Sequence, residues 1–461
     1  MRKYYLLIYC ILYIGIGTIQ AQYTVLHNFN DTNGSFPYGS LAISGKMLYG
    51  MTESGGKNNK GCIFQVDTNG NGYKVLLNFN DTNGSLPFGN LTISGKVLYG
   101  MTAYGGTNGV GVVFSIDTDG TVYKVMYNFN GSNGQYPEGS LTHSGNLLYG
   151  MTAGGGTYNY GMIFSIDTNG SNFKNLYDFN STTGTNPQGT LMLSGNILYG
   201  MAQLGGTKDS GCIFSVNING SNYKDLFNFS GKNGTNPSGD ITLRGGVLYG
   251  MTPAGGINEV GCLFSINSNG TGFKDLYDFS NTNGSRPFGD VVFSDNLFHI
   301  MTSQGGANNY GTIIAIDTNG TGCTDQFDFK GMNGGESLGS LTLSGNVLYG
   351  MTTYGGSYGD GVVFKFNNIL TGFDPLIFAS CEVKLFPTLN NGSFNIELKN
   401  EKSETQKTFE IYNVFGEMIY NAKLNTSNTQ INLNNKAPGV YFYTIITEGG
   451  NHISSGKFVI Q

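Results

Sequence analysis

Leu48-Tyr49-Gly50-Met51-Thr52, followed by Gly55-Gly56, is the stretch on which the reading of this chain turns. The same five residues return at 98–102, 148–152, 248–252 and 348–352. At 198–202 alanine replaces the threonine, and at 298–302 the copy reads Phe298-His299-Ile300-Met301-Thr302. Tyr49, Tyr99, Tyr149, Tyr199, Tyr249 and Tyr349 keep a spacing of 50 or its multiple without slippage. Seven copies in register imply one structural unit repeated seven times.

Working outward from that stretch, the unit at 87–129 holds four short apolar segments. Pro87 and Gly89 open the first, Asn90 to Ile93, and Ser94-Gly95-Lys96 turns it into Val97 to Thr102. Val112 to Asp117 and Tyr123 to Phe129 follow, parted by Asp119-Gly120, a dipeptide suited to a tight hairpin. The unit is therefore a four-stranded antiparallel meander. Both of its faces are apolar, so it must be sandwiched between copies of itself. Radial packing of such sheets predicts an all-β chain, a seven-bladed β-propeller over 22–378. The outermost strand recurs once more at Tyr23 to Phe29, a surplus copy placed to complete the last blade and close the ring. A further copy at Gly372 to Phe378 has lost a residue and leads into the tail.

Composition bounds function. Only 12% of the 461 residues are charged, while Gly (73), Tyr (29) and Phe (31) abound. A formal charge of −6 offers no basic surface for nucleic acid. Arg2 and Lys3, the apolar run Tyr4 to Gly17 and the small Ala21 read as an export signal over 1–21. The run is shorter than the roughly 20 residues of a spanning helix, so no membrane span is expected after its removal. Cys62, Cys212 and Cys262 share a repeat position with Val112, Met162, Thr312 and Val362, which marks a packing site rather than disulfides.

Period and glycine content stop at 379, where a β-sandwich of about 80 residues is expected to run to 461. Its strands are read at 394–398, 409–412, 418–424, 430–433, 440–447 and 452–460. The 50-residue units, with Leu-Tyr-Gly-Met-Thr, Gly-Gly and Gly-x-x-Phe-x-Ile-Asp, resemble the GloVer-type tandem repeats of exported bacterial proteins. Phe386-Pro387, Gly392 with Phe394, Gly439-Val440-Tyr441 and Lys457-Phe458-Val459-Ile460 resemble the type IX secretion C-terminal sorting domain. That second resemblance implies an extracellular or cell-surface protein reached through the periplasm, with residues 383–461 engaging the secretion machinery.

No chemistry is legible. The methionines at 51, 101, 151, 201, 251, 301 and 351 are expected as wedges between adjacent sheets rather than as a copper site. Gly50 and its copies suggest close approach of an aromatic ring from the neighbouring blade. Asp67-Thr68-Asn69-Gly70 opens like a calcium loop, but Asn78 stands where a bidentate glutamate belongs, so a hairpin turn is expected. The four histidines occupy unrelated repeat positions; no catalytic residue, metal ligand or cofactor is assigned. Blade six departs from its siblings at His299, Ile300, Ile314, Cys323 and Ser337, read as drift of one repeat.

What varies is one loop face. The second-to-third-strand loops carry Tyr104, Tyr158, Asn159, Tyr160, Tyr310, Tyr354 and Tyr358 around fixed glycines. Variable Tyr/Asn loops on a fixed scaffold are expected to bind a glycan or protein ligand. The alternative is an extracellular lyase or hydrolase acting on glycans, because the fold hosts both.

Overall fold

The computed structural model describes residues 23–294, 296–367, 382–387, 389–399, 407–413, 418–424, 428–433, 435–447 and 452–461. The expected export signal and the copy at 372–378 lie outside these residues. Tertiary contacts divide the chain into two compact units, one up to residue 369 and one from 370 onward.

In the first unit every repeat folds as the same meander. The first repeat comprises Ala42–Ser44, Met47–Thr52, Cys62–Asp67 and Lys74–Asn78, hydrogen-bonded in that order from the inside outward. The inner hairpin closes on Gly45, whose φ of 59° only a residue at ease in the left-handed region adopts. Beyond the third strand, Asp67 accepts the backbone N–H groups of Asn71 and Asn69, both at 2.8 Å. The N–H of Asn71 is the chief cause holding this carboxyl below its usual range. Its carboxylate is spent on the hairpin, as the sequence led one to expect.

Gly50 lies directly opposite Phe64 in the cross-strand register. A Cβ on Gly50 would sit 2.5 Å from Cζ of that ring. The expectation of a ring from the neighbouring blade is thus corrected: the glycine makes room for its partner in the same sheet. Blade six shows the rule by exception, since Ile300 pairs with Ile314 and the two changes occur together. The ring and the glycine that makes room for it are thus replaced together by two aliphatic side chains.

Successive sheets are joined by apolar clusters. Tyr49, Met51 and Ile63 of the first sheet pack on Leu98, Phe114 and Ile116 of the second, so the methionines are wedges. Tyr349, Met351 and Val363 pack in the same way on Leu48, Phe64 and Val66, bringing the seventh sheet against the first. Tyr23–Asn28 completes that seventh sheet, pairing antiparallel with Val362–Phe366. Its Tyr23 stacks on Phe327 at 4.2 Å and donates its hydroxyl to the Asn333 carbonyl at 2.6 Å. Tyr73 makes the corresponding bond to Asn33. The surplus strand therefore does what its sequence position predicts. Cys62, Cys212 and Cys262 are buried and free, and burial pushes the Cys62 thiol up to about 11.

The second unit is a sandwich of a three-stranded sheet, Glu382–Phe386, Ser393–Lys399 and Asn428–Asn432, and a five-stranded one. The latter orders Leu389–Asn390, His452–Ile460, Gly439–Thr447, Lys407–Tyr412 and Met418–Leu424. Phe394, Ile396 and Leu398 alternate inward against Phe409, Ile411, Ile445 and Phe458. The strands at 382–386 and 389–390 escape sequence reading, the second because it spans only two residues, the first although Glu382-Val383-Lys384-Leu385 alternates.

Candidate functional site

The first strand of six blades is entered through Pro-x-Gly-x and that of the seventh through Ser337-Leu338-Gly339-Ser340, and the tertiary structure gathers these tetrapeptides around an axial channel. Residues 40, 90, 140, 190, 240, 290 and 340 form a closed girdle in which each backbone N–H is donated to the side-chain oxygen of the next. Asn90 N–H reaches Ser140 Oγ at 2.7 Å, Asp240 N–H reaches Asp290 Oδ1 at 2.7 Å, and Ser340 N–H returns to Ser40 Oγ at 2.7 Å. The ring closes without a missing donor. The glycine before each girdle residue is held to that identity by sterics, since a Cβ on Gly139 would lie 2.3 Å from the Gly189 carbonyl oxygen.

Between the proline and that glycine stands the variable residue that looks into the channel, lining a cavity of about 400 Å³. It is apolar or aromatic in blades six, seven, one and two (Phe288, Leu338, Tyr38, Phe88) and polar in three, four and five (Glu138, Gln188, Ser238). Tyr38 and Phe88 meet edge to face at 5.1 Å. On the polar side, burial raises Glu138 above its usual range, opposed by a hydrogen bond from Gln188. Asp240 and Asp290 are also raised, first by enclosure in protein and, for Asp290, then by the charge of Asp240.

Two residues before the channel position lies a second ring. Phe36, Leu86, Tyr136, Asn186, Asn236, Arg286 and Glu336 all have φ between 51° and 57°. Each is pinned by backbone bonds: the Tyr136 N–H donates to Val110 O at 3.0 Å, and its carbonyl accepts Ala153 N–H at 2.9 Å. The left-handed region costs a non-glycine residue on the order of 1 kcal/mol, least for asparagine. A glycine would sit there without strain, yet seven side chains of six types do. Sequence reading missed this ring, although its residues directly precede the proline position in every repeat.

The tyrosines read from the sequence are all exposed, from 40% for Tyr104 to 65% for Tyr358. They stand at three depths. Tyr104 and Tyr354 lie innermost, packed on the left-handed ring: Tyr104 meets Tyr136 at 5.0 Å and Tyr354 meets Phe36 at 5.1 Å. Tyr104 also lines a groove of about 380 Å³ with Leu86 and the ion pair Lys60–Asp81, 3.2 Å apart. Tyr160 and Tyr310 come next, and their carbonyls accept the N–H groups of Asn186 and Glu336. Tyr158 and Tyr358 occupy the outer position at which Asn58 and Asn108 donate to the carbonyls of Phe79 and Phe129. Asn159 has φ 63° and turns its Oδ1 inward to the Gly155 N–H at 3.2 Å. Among the described residues no ring contact joins any two of the six tyrosines. His299 is fully buried in the sheet of blade six, opposite Ala315, and is not among the channel-lining residues.

A repeated four-stranded sheet closed around a channel defines an all-β propeller-like protein. Residues 15–214 and 198–377 match the Gloeobacter/Verrucomicrobia repeat, and the chain belongs to that family. Residues 384–461 match the secretion system C-terminal sorting domain, so the protein is an extracellular or cell-surface one that engages type IX secretion machinery through its tail. No curated protein matches the chain by sequence. Among solved structures it is similar to one chain of a nidogen/laminin complex, at 16% identity and TM-score 0.41, covering 63% of this chain and 94% of that one. It is also similar to PorZ, a surface component of the type IX secretion system of Porphyromonas gingivalis, at 14% identity and TM-score 0.44, covering 93% of this chain and 59% of that one. The extracellular domain of a putative hybrid two-component system from B. thetaiotaomicron gives 11% identity and TM-score 0.49, covering 95% of this chain and 58% of that one. The chain thus spans under two thirds of the length of these last two. No helix among the described residues is long and apolar enough to cross a membrane.

Proposed function

We propose that this protein is a secreted or cell-surface binding module without catalytic activity, which takes a glycan on its loop face. One observation carries the reading. Seven side chains of six residue types are held in left-handed backbone at equivalent points, where glycine would be cheaper. Around them stand exposed tyrosines, which offer a flat apolar face and a hydroxyl at low rotamer cost. Tyr104 and Tyr354 are the inner anchors, Tyr160 and Tyr310 the middle ones, and Tyr158 and Tyr358 the rim, with Asn159 fixing its loop. With no tryptophan in the chain, single-site affinity is expected on the order of 10–1000 μM.

The test is a glycan array probed with the full mature chain, followed by titration of the best binder. The double change Tyr104→Ala, Tyr354→Ala should weaken that binder at least tenfold while the thermal transition stays close to wild type. Unaltered affinity in this variant, or an array without binders, overturns the reading.

A further inference from the structure

The axial channel is not used by the loop-face reading, and its wall breaks the sevenfold symmetry in an ordered way. What holds the girdle together repeats: the glycine, and the bond from each backbone N–H to a side-chain oxygen of the next blade. Only the channel-facing residue sorts by chemistry, with one arc aromatic and aliphatic and the other acidic or polar. Among the described residues no lysine, arginine or histidine lines the cavity, whereas Glu138, Asp240 and Asp290 do. Here four neighbouring blades are apolar and the next three are polar.

We propose that the channel is a binding site for a small organic ammonium ion with an apolar stem. The stem lies along Phe88, Tyr38 and Leu338, and the ammonium head faces Glu138 and the Asp240–Asp290 pair. The cavity, about 400 Å³, falls in the range of small-molecule sites. Aromatic faces attract such a cation through their ring quadrupoles, and the attraction grows when water is excluded. Each carboxylate already spends one oxygen on a girdle or neighbour bond, as Asp290 Oδ1 does on Asp240 N–H. The pair, though, has no cationic side chain among the described residues that line the cavity. Two enclosed carboxyls in contact cannot both ionise cheaply, and a resident cation relieves that repulsion. Ser238 Oγ, enclosed and without a hydrogen-bond partner, gains one by rotating toward the lumen.

The girdle itself supplies a clean variant. Asn90 already serves as a girdle residue, accepting the Ser40 N–H through its Oδ1. Asp240→Asn with Asp290→Asn therefore deletes charge and keeps the hydrogen-bonded ring. Calorimetric titration of the full mature chain with n-pentylammonium, and with n-pentanol as its neutral match, reads the charge requirement. Pentylammonium should bind at least tenfold more tightly than pentanol. Asp240→Asn/Asp290→Asn and Glu138→Gln should each remove most of that difference, and Phe88→Ala should weaken both compounds. Lysine amide and glucosamine, titrated in parallel, distinguish an amino-acid source of the ammonium from an amino-sugar one. Equal binding of the charged and neutral compounds overturns the proposal, as does unchanged amine binding in the folded carboxamide variants. The loop-face tyrosines take no part in this site, so the Tyr104/Tyr354 variant should bind pentylammonium as the parent does. Loss of either site thus leaves the other measurable.

Discussion

The channel wall and the loop face belong to the same blades, and they treat sequence in opposite ways. At the wall, Gly139 and its equivalents never vary, because a methyl group there runs into the carbonyl of the adjoining blade. On the loop face, the outer position is Asn58, Asn108, Tyr158, Lys208, Asn258, Asn308 or Tyr358. Most of the backbone there satisfies itself, with Gly61 N–H on Gly55 O and Phe79 N–H on Gly61 O; the asparagines add one bond to a carbonyl, which the tyrosines and the lysine dispense with. Invariance within this chain reports steric debt to backbone, and variation reports surface free for recognition.

The largest effect should come from repaying that debt badly. Gly139→Ala places its Cβ against two backbone oxygens, Gly189 O at 2.3 Å and Gln188 O at 2.6 Å, neither of which can rotate away. It is expected to cost about 3 kcal/mol or more, read as a lower melting temperature in calorimetry. A wild-type transition would show that the girdle is slack and the comparison with the loops empty. The next effect lies inside a sheet. Gly100→Ile alone should destabilise by about 1–3 kcal/mol through collision with Phe114, whereas Gly100→Ile with Phe114→Ile recreates the pair found in blade six and should recover at least half. Strict additivity in denaturant unfolding would mean that blade six did not drift by compensation.

The smallest effect is a pH dependence seated in the closing strand. His27 stacks on Tyr73 at 3.6 Å with its Nε2 enclosed and unpartnered. Burial lowers its pKa from 6.5 to about 4, partly opposed by a hydrogen bond with Asn33. Because the folded-state value is depressed, the unfolded chain takes up the proton first as pH falls. The His27 contribution is therefore complete above pH 6.5 and is lost progressively toward pH 4. His27→Phe, the residue that Phe227 and Phe327 present at this position, should flatten stability between those limits and change little at pH 8. An equal slope in both proteins would place the acid sensitivity elsewhere.

Much of this molecule is determined by the sequence on its own. The 50-residue repeat marks the second strand at 97–102 and the third at 112–117 to the residue, because the Ser-Gly and Asp-Gly turns that bound them act over a few positions. The eighth copy of the outer strand could be counted, and its role in closure follows from the need to cover an edge. The source of the ring over Gly50 could not be read, since sheet register and blade neighbour place an aromatic equally near in sequence terms. Nor could the girdle, whose partners stand 50 residues apart and meet only once the ring has closed. The left-handed ring and the two-sided channel are likewise products of closure. Each residue concerned looks ordinary within its own repeat, and only the circular arrangement sets Glu138 across from Phe288 or brings Asp240 to Asp290.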